Sequence, residues 1–238
     1  MRVNATQCNK GTGKTASGFT LVEMAIVLLI LGLLLGGMLV PLSNQVAQRR
    51  VSDTQAALRT IREALTGFAA THGRLPCPAI SAANGAEQPQ PCASRRGFIP
   101  WVTLGVPETD AWGHIYLYSV TPAFASSSPP FTLADSGDIT VNTRNSSGAL
   151  VAEAATIPAL VLSFGPDGYG ATSRQGVAQP AVPPGNSDEA TNAGGGTTFV
   201  DRVATANTAA PGGSFDDLVD WISPNVLFSR MIAAGRLP

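Results

Sequence analysis

Glu23 borders an uncharged run of nineteen residues, Met24 to Leu42, composed of Ala, Ile, Val, Leu, Gly, Met and one Pro. An ionised carboxylate costs about 2.5–3.5 kcal/mol at the centre of a membrane span, and less near the interface, unless it is paired or reaches the headgroups. No basic residue lies within reach of Glu23 on its own helix. The chain can create a positive charge: a cut after Gly18 leaves an α-amine on Phe19, about one helical turn away. The same amine on a neighbouring copy is a second candidate. The alternative is an uncleaved signal anchor that tolerates an interfacial Glu. An ordinary secretory signal is a poor description, because its small-residue cleavage site follows the apolar run, whereas Ser17-Gly18-Phe19 precedes it.

The remaining residues that could do chemistry are few. Of three cysteines, Cys8 would leave with the first eighteen residues. Cys77 and Cys92 remain as an even pair, fifteen residues apart in a proline-rich segment. If that segment faces an oxidising compartment, a disulfide is expected, with two buried free thiols as the alternative. The two histidines, His72 and His114, fall on an expected helix end and an expected strand, so neither a catalytic nor a metal role is assigned to them. Gly13-Lys14-Thr15 matches the end of a phosphate-binding loop, but the position that must be Gly is Cys8 and no strand precedes it. No HExxH, CxxC, GxSxG or dinucleotide-binding fingerprint is present. Asp167, Asp188, Glu189, Asp216 and Asp217 border a long loop and the last strand. Hard cations such as calcium take six to eight oxygens from carboxylates and loop carbonyls. Acids that cap turns and face water are the simpler reading of these five.

The elements that must position these residues start with one long helix, expected from Phe19 to about His72. At about 1.5 Å per residue its apolar run would cross most of a bilayer's hydrocarbon core. Arg2, Lys10 and Lys14 lie upstream with no acidic residue, which places the N-terminus in the cytoplasm and the rest outside. Pro41 removes a helix hydrogen bond, so a kink or local melting is expected near 37–41. Beyond it, Leu42, Val46, Val51, Leu58, Ile61, Leu65 and Phe68 recur on a helical period. Gly73 is a natural C-cap, and Pro76 and Pro78 forbid continuation.

Residues 73–113 read as an irregular connecting loop. Strands are expected at about 114–120, at Ile139 to Thr143, at Pro158 to Phe164, at Thr198 to Ala204 and at Leu218 to Ile222. Residues 121–136 read as a loop, and 171–197 as a mobile low-complexity loop. Ser223-Pro224 opens a short C-terminal helix ending near Gly235. Charged residues are 13% of the chain. Without its first eighteen residues it carries twelve Arg against sixteen acids, a net charge of −4. That excludes the basic footprint of a nucleic-acid binder.

Lys14-Thr15-Ala16-Ser17-Gly18-Phe19-Thr20-Leu21-Val22-Glu23 resembles the processing site of type IV pilins and type II secretion pseudopilins. The resemblance is firm over about residues 10–72 and loose beyond. It implies a membrane prepilin peptidase that cuts after Gly18 and methylates Phe19, and a Glu23 that pairs with a neighbouring subunit's N-terminus during assembly. Asp110-Ala111-Trp112-Gly113-His114-Ile115-Tyr116-Leu117-Tyr118 resembles the Asp-Pro-Trp-Gly-Asn-x-Tyr-x-Tyr segment of major pseudopilins, with Ala111 and His114 departing. Residues 163–168 and 215–218 resemble the loop ends that hold calcium there, which makes Asp167, Asp216 and Asp217 the candidate ligands, although the intervening loop is longer here.

The expected organisation is a leader over 1–18, a long helix over 19–72 with a membrane-spanning first half, and an extracytoplasmic head over 73–238. The expected class is α+β, with the helix packed on a small antiparallel sheet. The expected work is structural rather than enzymatic. The chain would be a subunit of a pilus-like filament in the bacterial inner membrane, a type II secretion pseudopilin, or alternatively a minor type IV pilin. A single-span periplasmic enzyme is the rival from another class. Its partners would be the peptidase, other pilin-type subunits, an inner-membrane assembly platform and lipid, with no nucleic acid. No cofactor is expected unless calcium.

Overall fold

The computed structural model describes residues 18–237, with the side chains of 34–43 left outside that description. The expected leader up to residue 17, with Arg2, Cys8, Lys10 and Lys14, lies outside the described residues. The chain divides into two compact units, Met1–Ala47 and Gln48–Pro238. One helix, α1 (Leu21–His72), runs from the first into the second.

In the first unit the side chains from Phe19 to Leu33 face outward: Phe19 is 82% exposed, Leu21 91% and Leu33 70%. Among the described residues no helix is long and apolar enough to cross a membrane. The expected span, Met24 to Leu42, has its second half among the side chains outside the description, and the kink expected at 37–41 lies there too.

The second unit is built in three layers. α1 supplies Leu58, Ile61, Leu65, Phe68 and Ala69, all buried and recurring at three, four and one residues, which puts them on one face. Against this face lies a four-stranded antiparallel sheet in the order β3-β4-β7-β9, formed by Arg96–Phe98, Leu117–Val120, Ala159–Ser163 and Leu218–Trp221. β7 explains the stacking. Its five residues are all buried because alternate side chains serve two cores. Ala159 and Val161 join the helix-side core with Tyr116, Tyr118 and Val120. Leu160 and Leu162 point the other way, to a second core with Ile139, Val141, Ile157 and Phe199. That second core is capped by a three-stranded sheet in the order β6-β5-β8, formed by Leu150–Ile157, Ile139–Arg144 and Thr198–Val200. Helix α5 (Pro224–Ala233) closes the first core with Leu227 and Met231. It starts with Pro after Ser223, whose side chain makes no capping bond.

The mixed architecture of a helix followed by a sheet domain is the one expected, but the single small antiparallel sheet is corrected. Among the described residues there are three sheets, counting the β1–β2 hairpin (Ala79–Ser81, Asn84–Glu87), and β5 pairs with β8 in parallel. The parallel pair needs a crossover, which β6, β7 and the following segment supply. The 73–113 loop carries β1 to β3 and a helical turn, α2 (Trp101–Leu104), and residues 121–136 carry another, α3 (Pro122–Ala125). The 171–197 loop carries helix α4 (Ser187–Ala193), which has three buried polar residues.

The segment leaving α1 is tied down locally. Gly73 has φ +75 and its N–H bonds Ala69 O at 2.8 Å. Arg74 forks onto both oxygens of Glu87 at 2.9 Å. Tyr118, fully buried, donates its hydroxyl to Pro76 O at 3.1 Å. Cys77 is disulfide-bonded to Cys92 across a separation of 15 residues, with Cα atoms 5.4 Å apart. In the chain-entropy picture, closing a loop of this length restricts the unfolded chain by about 3 kcal/mol. Cys77→Ser/Cys92→Ser is therefore expected to unfold at lower denaturant concentration than the wild type. Both native thiols should stay unlabelled in denaturant until a reductant is added. Labelling without reductant would show the bond does not form.

Candidate functional site

Two places gather the residues singled out by the sequence. The first is the start of α1. Gly18, Phe19 and Thr20 lie before the helix, and Glu23 is in its first turn. Thr20 N–H donates to Glu23 Oε2 at 2.8 Å, Thr20 Oγ1–H donates to the same oxygen at 2.9 Å, and Glu23 N–H donates to Thr20 Oγ1 at 3.2 Å. This is a capping box, in which Thr at the N-cap and Glu three residues on satisfy each other's orphan donors. The sequence reading considered only basic partners for Glu23 on its own helix. It lacks a basic one, but Thr20 supplies two neutral donors, and the T-x-x-E spacing was the available signal. Both bonds fall on one carboxylate oxygen. The backbone of Phe19 sits beside the N-terminal end of the helix, where the macrodipole favours the carboxylate.

The second place is in the head. Asp167 follows β7, Asp216 precedes β9, and α4 brings Glu189 to them. One carboxylate oxygen from each lies within 4.8 Å of the others. Asp217, expected among the ligands, is not in this group. It is 3% exposed, and its Oδ2 accepts from Asn192 Nδ2 at 2.8 Å, so it is consumed in pinning α4. Adjacent residues beside a strand start point to opposite sides, which separates Asp216 from Asp217. Asp188 is likewise engaged. Arg144 donates from Nε at 2.7 Å and from Nη2 at 2.6 Å, and Arg202 Nε lies 2.7 Å away.

The three clustered carboxyls are perturbed in the direction such a geometry demands. Burial, then the charges of Asp167 and Glu189, pushes Asp216 up to about 7. Burial raises Asp167, and burial followed by the charge of Asp167 raises Glu189. Glu189 Oε1 and Asp216 Oδ1 are buried with no hydrogen-bond partner among the described residues. Gly165, at φ +61, passes so close that a Cβ there would lie 2.4 Å from Asp216 Oδ1. An all-oxygen donor set with orphaned, buried carboxylate oxygens fits a hard divalent cation.

His114 lies next to this loop but serves structure. Asp110 accepts from the backbone N–H of Trp112 and of His114, both at 2.9 Å, and from Ser163 Oγ at 2.6 Å. The Asp110 carboxylate, 3.7 Å from His114 Nδ1, raises the imidazole above its usual range. His72 stacks on Phe68.

The family model described as Prokaryotic N-terminal methylation motif matches residues 13–39. The chain thus carries the type IV pilin and pseudopilin signature, and the match supports a pilin-like or pseudopilin subunit. The signature implies processing by prepilin peptidase, membrane anchoring and then assembly with other pilin-type subunits, and it is the mark of a structural family. No curated protein and no solved structure matches the chain.

The carboxyl cluster has a pH signature. A folded-state pKa raised to about 7 contributes stability below the unfolded value of about 3.9 and loses it as pH rises through about 7. In excess chelator, the wild type's melting temperature is expected to fall relative to Asp216→Asn between about pH 5 and about pH 8. A difference that does not change over that range would show that Asp216 is not crowded by the other two acids.

Proposed function

We propose that the protein is a structural subunit of a pilus-like filament, of the type II secretion pseudopilin kind, that is cut after Gly18, methylated on Phe19 and assembled through α1. The observation that carries this reading is the methylation motif over 13–39 with Glu23 in the first turn of a helix whose apolar side chains from Leu21 to Leu33 are uncovered. The likeness of residues 110–118 to the major pseudopilin segment supports the finer assignment. The subunit sits in the bacterial inner membrane with its N-terminus cytoplasmic and its head periplasmic, until an assembly platform passes it into the filament.

Glu23 does two things in this scheme. One oxygen caps its own helix through Thr20, which fixes the rotamer. The other is left for the Phe19 amine of an adjacent copy. Because that amine exists only after the cut, processing licenses assembly. The pair also sets the axial register, since only one stagger brings a carboxylate level with a neighbour's N-terminus. In the low-dielectric surroundings of lipid and packed helices such a pair is far stronger than in water.

In the head, the cluster that includes Asp167 and Asp216 holds a calcium ion, whose charge offsets the repulsion among the carboxylates. The resemblance supports the choice of calcium, and the orphaned oxygens support a cation at that place.

Mass spectrometry of the membrane-extracted protein is expected to give a chain beginning at N-methyl-Phe19. A mature chain beginning beyond residue 42 would contradict the reading. Glu23→Leu is expected to be inserted and cut normally, because removing a charge favours residence in lipid. In cells lacking the wild-type copy it should give few or no filaments, read by cross-linking between cysteines placed at Val27 and Leu34 of neighbouring copies. Normal filaments from that variant would refute the assembly role.

A further inference from the structure

Helix α4 is fastened to the head from both sides of Glu189. Asp188, 1% exposed, holds the guanidinium groups of Arg144 and Arg202. Asn192, fully buried, accepts from Val200 N–H at 2.7 Å and donates from Nδ2 to Val200 O at 2.9 Å and to Asp217 at 2.8 Å. Both oxygens of Asp188 and every polar atom of the Asn192 side chain are thus engaged by protein partners.

Glu189 is as deeply buried as Asp188, at 1% exposure, yet among the described residues no arginine donates to it. Asn186 Nδ2 donates to its Oε2 at 2.9 Å, and Oε1 has no partner among the described residues. A buried ionised carboxylate without a partner is costly, and one aimed at two more carboxylates is costlier. Two neighbouring acids on one turn are thus treated oppositely. Asp188 is paired directly with arginine side chains, whereas Glu189 receives no charged donor among the described residues.

The spacing fits one ion. Calcium binds oxygens at about 2.3–2.6 Å, so two ligands on opposite sides of it sit up to about 5 Å apart. Oxygens from Asp167, Glu189 and Asp216 lie within 4.8 Å of one another. Gly165 keeps the Asp216 carboxylate in place by having no side chain where one would collide with it.

We infer that Glu189 is the third carboxylate ligand of the calcium ion held by Asp167 and Asp216, and that the ion thereby latches α4 and the long segment carrying it onto the ends of β7 and β9. The inference rests on the calcium reading above and adds to it a ligand and a consequence. The ion joins three stretches far apart in sequence, and on α4 it adds to the side-chain bonds of Asp188 and Asn192, the Asp188 N–H bond to Gly212 O at 3.3 Å and the packing of Ala193 on the second core. When the ion leaves, repulsion among the three carboxylates pushes on α4. Asp188 moves with α4, and Arg202, whose side chain is 9% exposed, loses that partner and keeps only Gly213 O, Ser214 O and the face of Phe215, which leaves its peptide bond easier to reach.

The test uses the full mature protein in detergent, stripped with a chelator and titrated with calcium by calorimetry. The wild type, Asp216→Asn and Glu189→Gln are compared, and each is digested with trypsin with and without calcium. The wild type should bind one ion, and Glu189→Gln should weaken binding by about tenfold or more, as removal of one charged ligand from a small set does. Calcium should slow cleavage after Arg202 in the wild type several-fold, and have much less effect in Glu189→Gln. A wild type that binds no calcium overturns this inference and the calcium reading together, and leaves the filament reading standing. Equal affinity in Glu189→Gln and the wild type overturns this inference alone. Equal cleavage after Arg202 with and without calcium in the wild type overturns the latch, and needs no variant to fold.

Discussion

Among the described residues nothing covers the apolar surface from Phe19 to Leu33, and the rest of the molecule is arranged around that debt. Side chains such as Leu21, Leu28, Leu29 and Leu33 are all more than 60% exposed. At about 25 cal/mol per Å² of apolar area, a face of this size strongly favours leaving water. Two environments can cover it: lipid, and the same face of other copies. The signature over residues 13–39 belongs to proteins that use both in turn. Glu23 then becomes the exception that gives direction. An uncharged helix could slide along its neighbours at little cost, whereas a helix with one carboxylate near its start has a preferred stagger.

The head meets the opposite requirement, a fold that stands on its own core. The second half of α1 is amphipathic and commits its apolar face to the four-stranded sheet, while Arg62 pairs with Asp220 of β9 at 2.7 Å. β7 is buried on both sides and couples the helix-side core to the second sheet. Its C-terminal end delivers Ser163, bonded to Asp110, and a few residues later Asp167. Packing that is fixed by apolar alternation therefore ends in a turn rich in unsatisfied charge. A well-packed strand positions that turn closely, which is why three carboxylates from distant segments can converge.

Much of this could be read from residue order. β7 announced itself as a short apolar run bounded by Pro158 and Gly165, and the helix face at Leu58, Ile61, Leu65 and Phe68 followed from its period. β6 was not visible: Leu150–Ile157 is rich in Ala and exposed except at Ile157 and the half-buried Ala154, so it shows neither alternation nor a continuous apolar run. α4 was hidden for a related reason. Seven residues are too few for helical periodicity, and its stability comes from buried polar contacts of Asp188 and Asn192 with strands that sequence does not place nearby. The same limit misassigned the acids. Asp216 and Asp217 look equivalent in a row of letters, but the strand start turns one to Asp167 and the other to Asn192. Thr20 was legible and overlooked, since the capping-box spacing is local and needs no tertiary knowledge.

The central claim is that Glu23 joins one copy to the next through an amine created by processing. The most direct measurement is a cryo-electron-microscopy reconstruction of the assembled filament at a resolution that shows side chains. The nitrogen of Phe19 in one subunit should lie within about 4 Å of the Glu23 carboxylate of an adjacent subunit, the usual limit for an ion pair. An ordered filament in which Glu23 touches only its own Thr20, with no neighbouring amine near it, would contradict the claim.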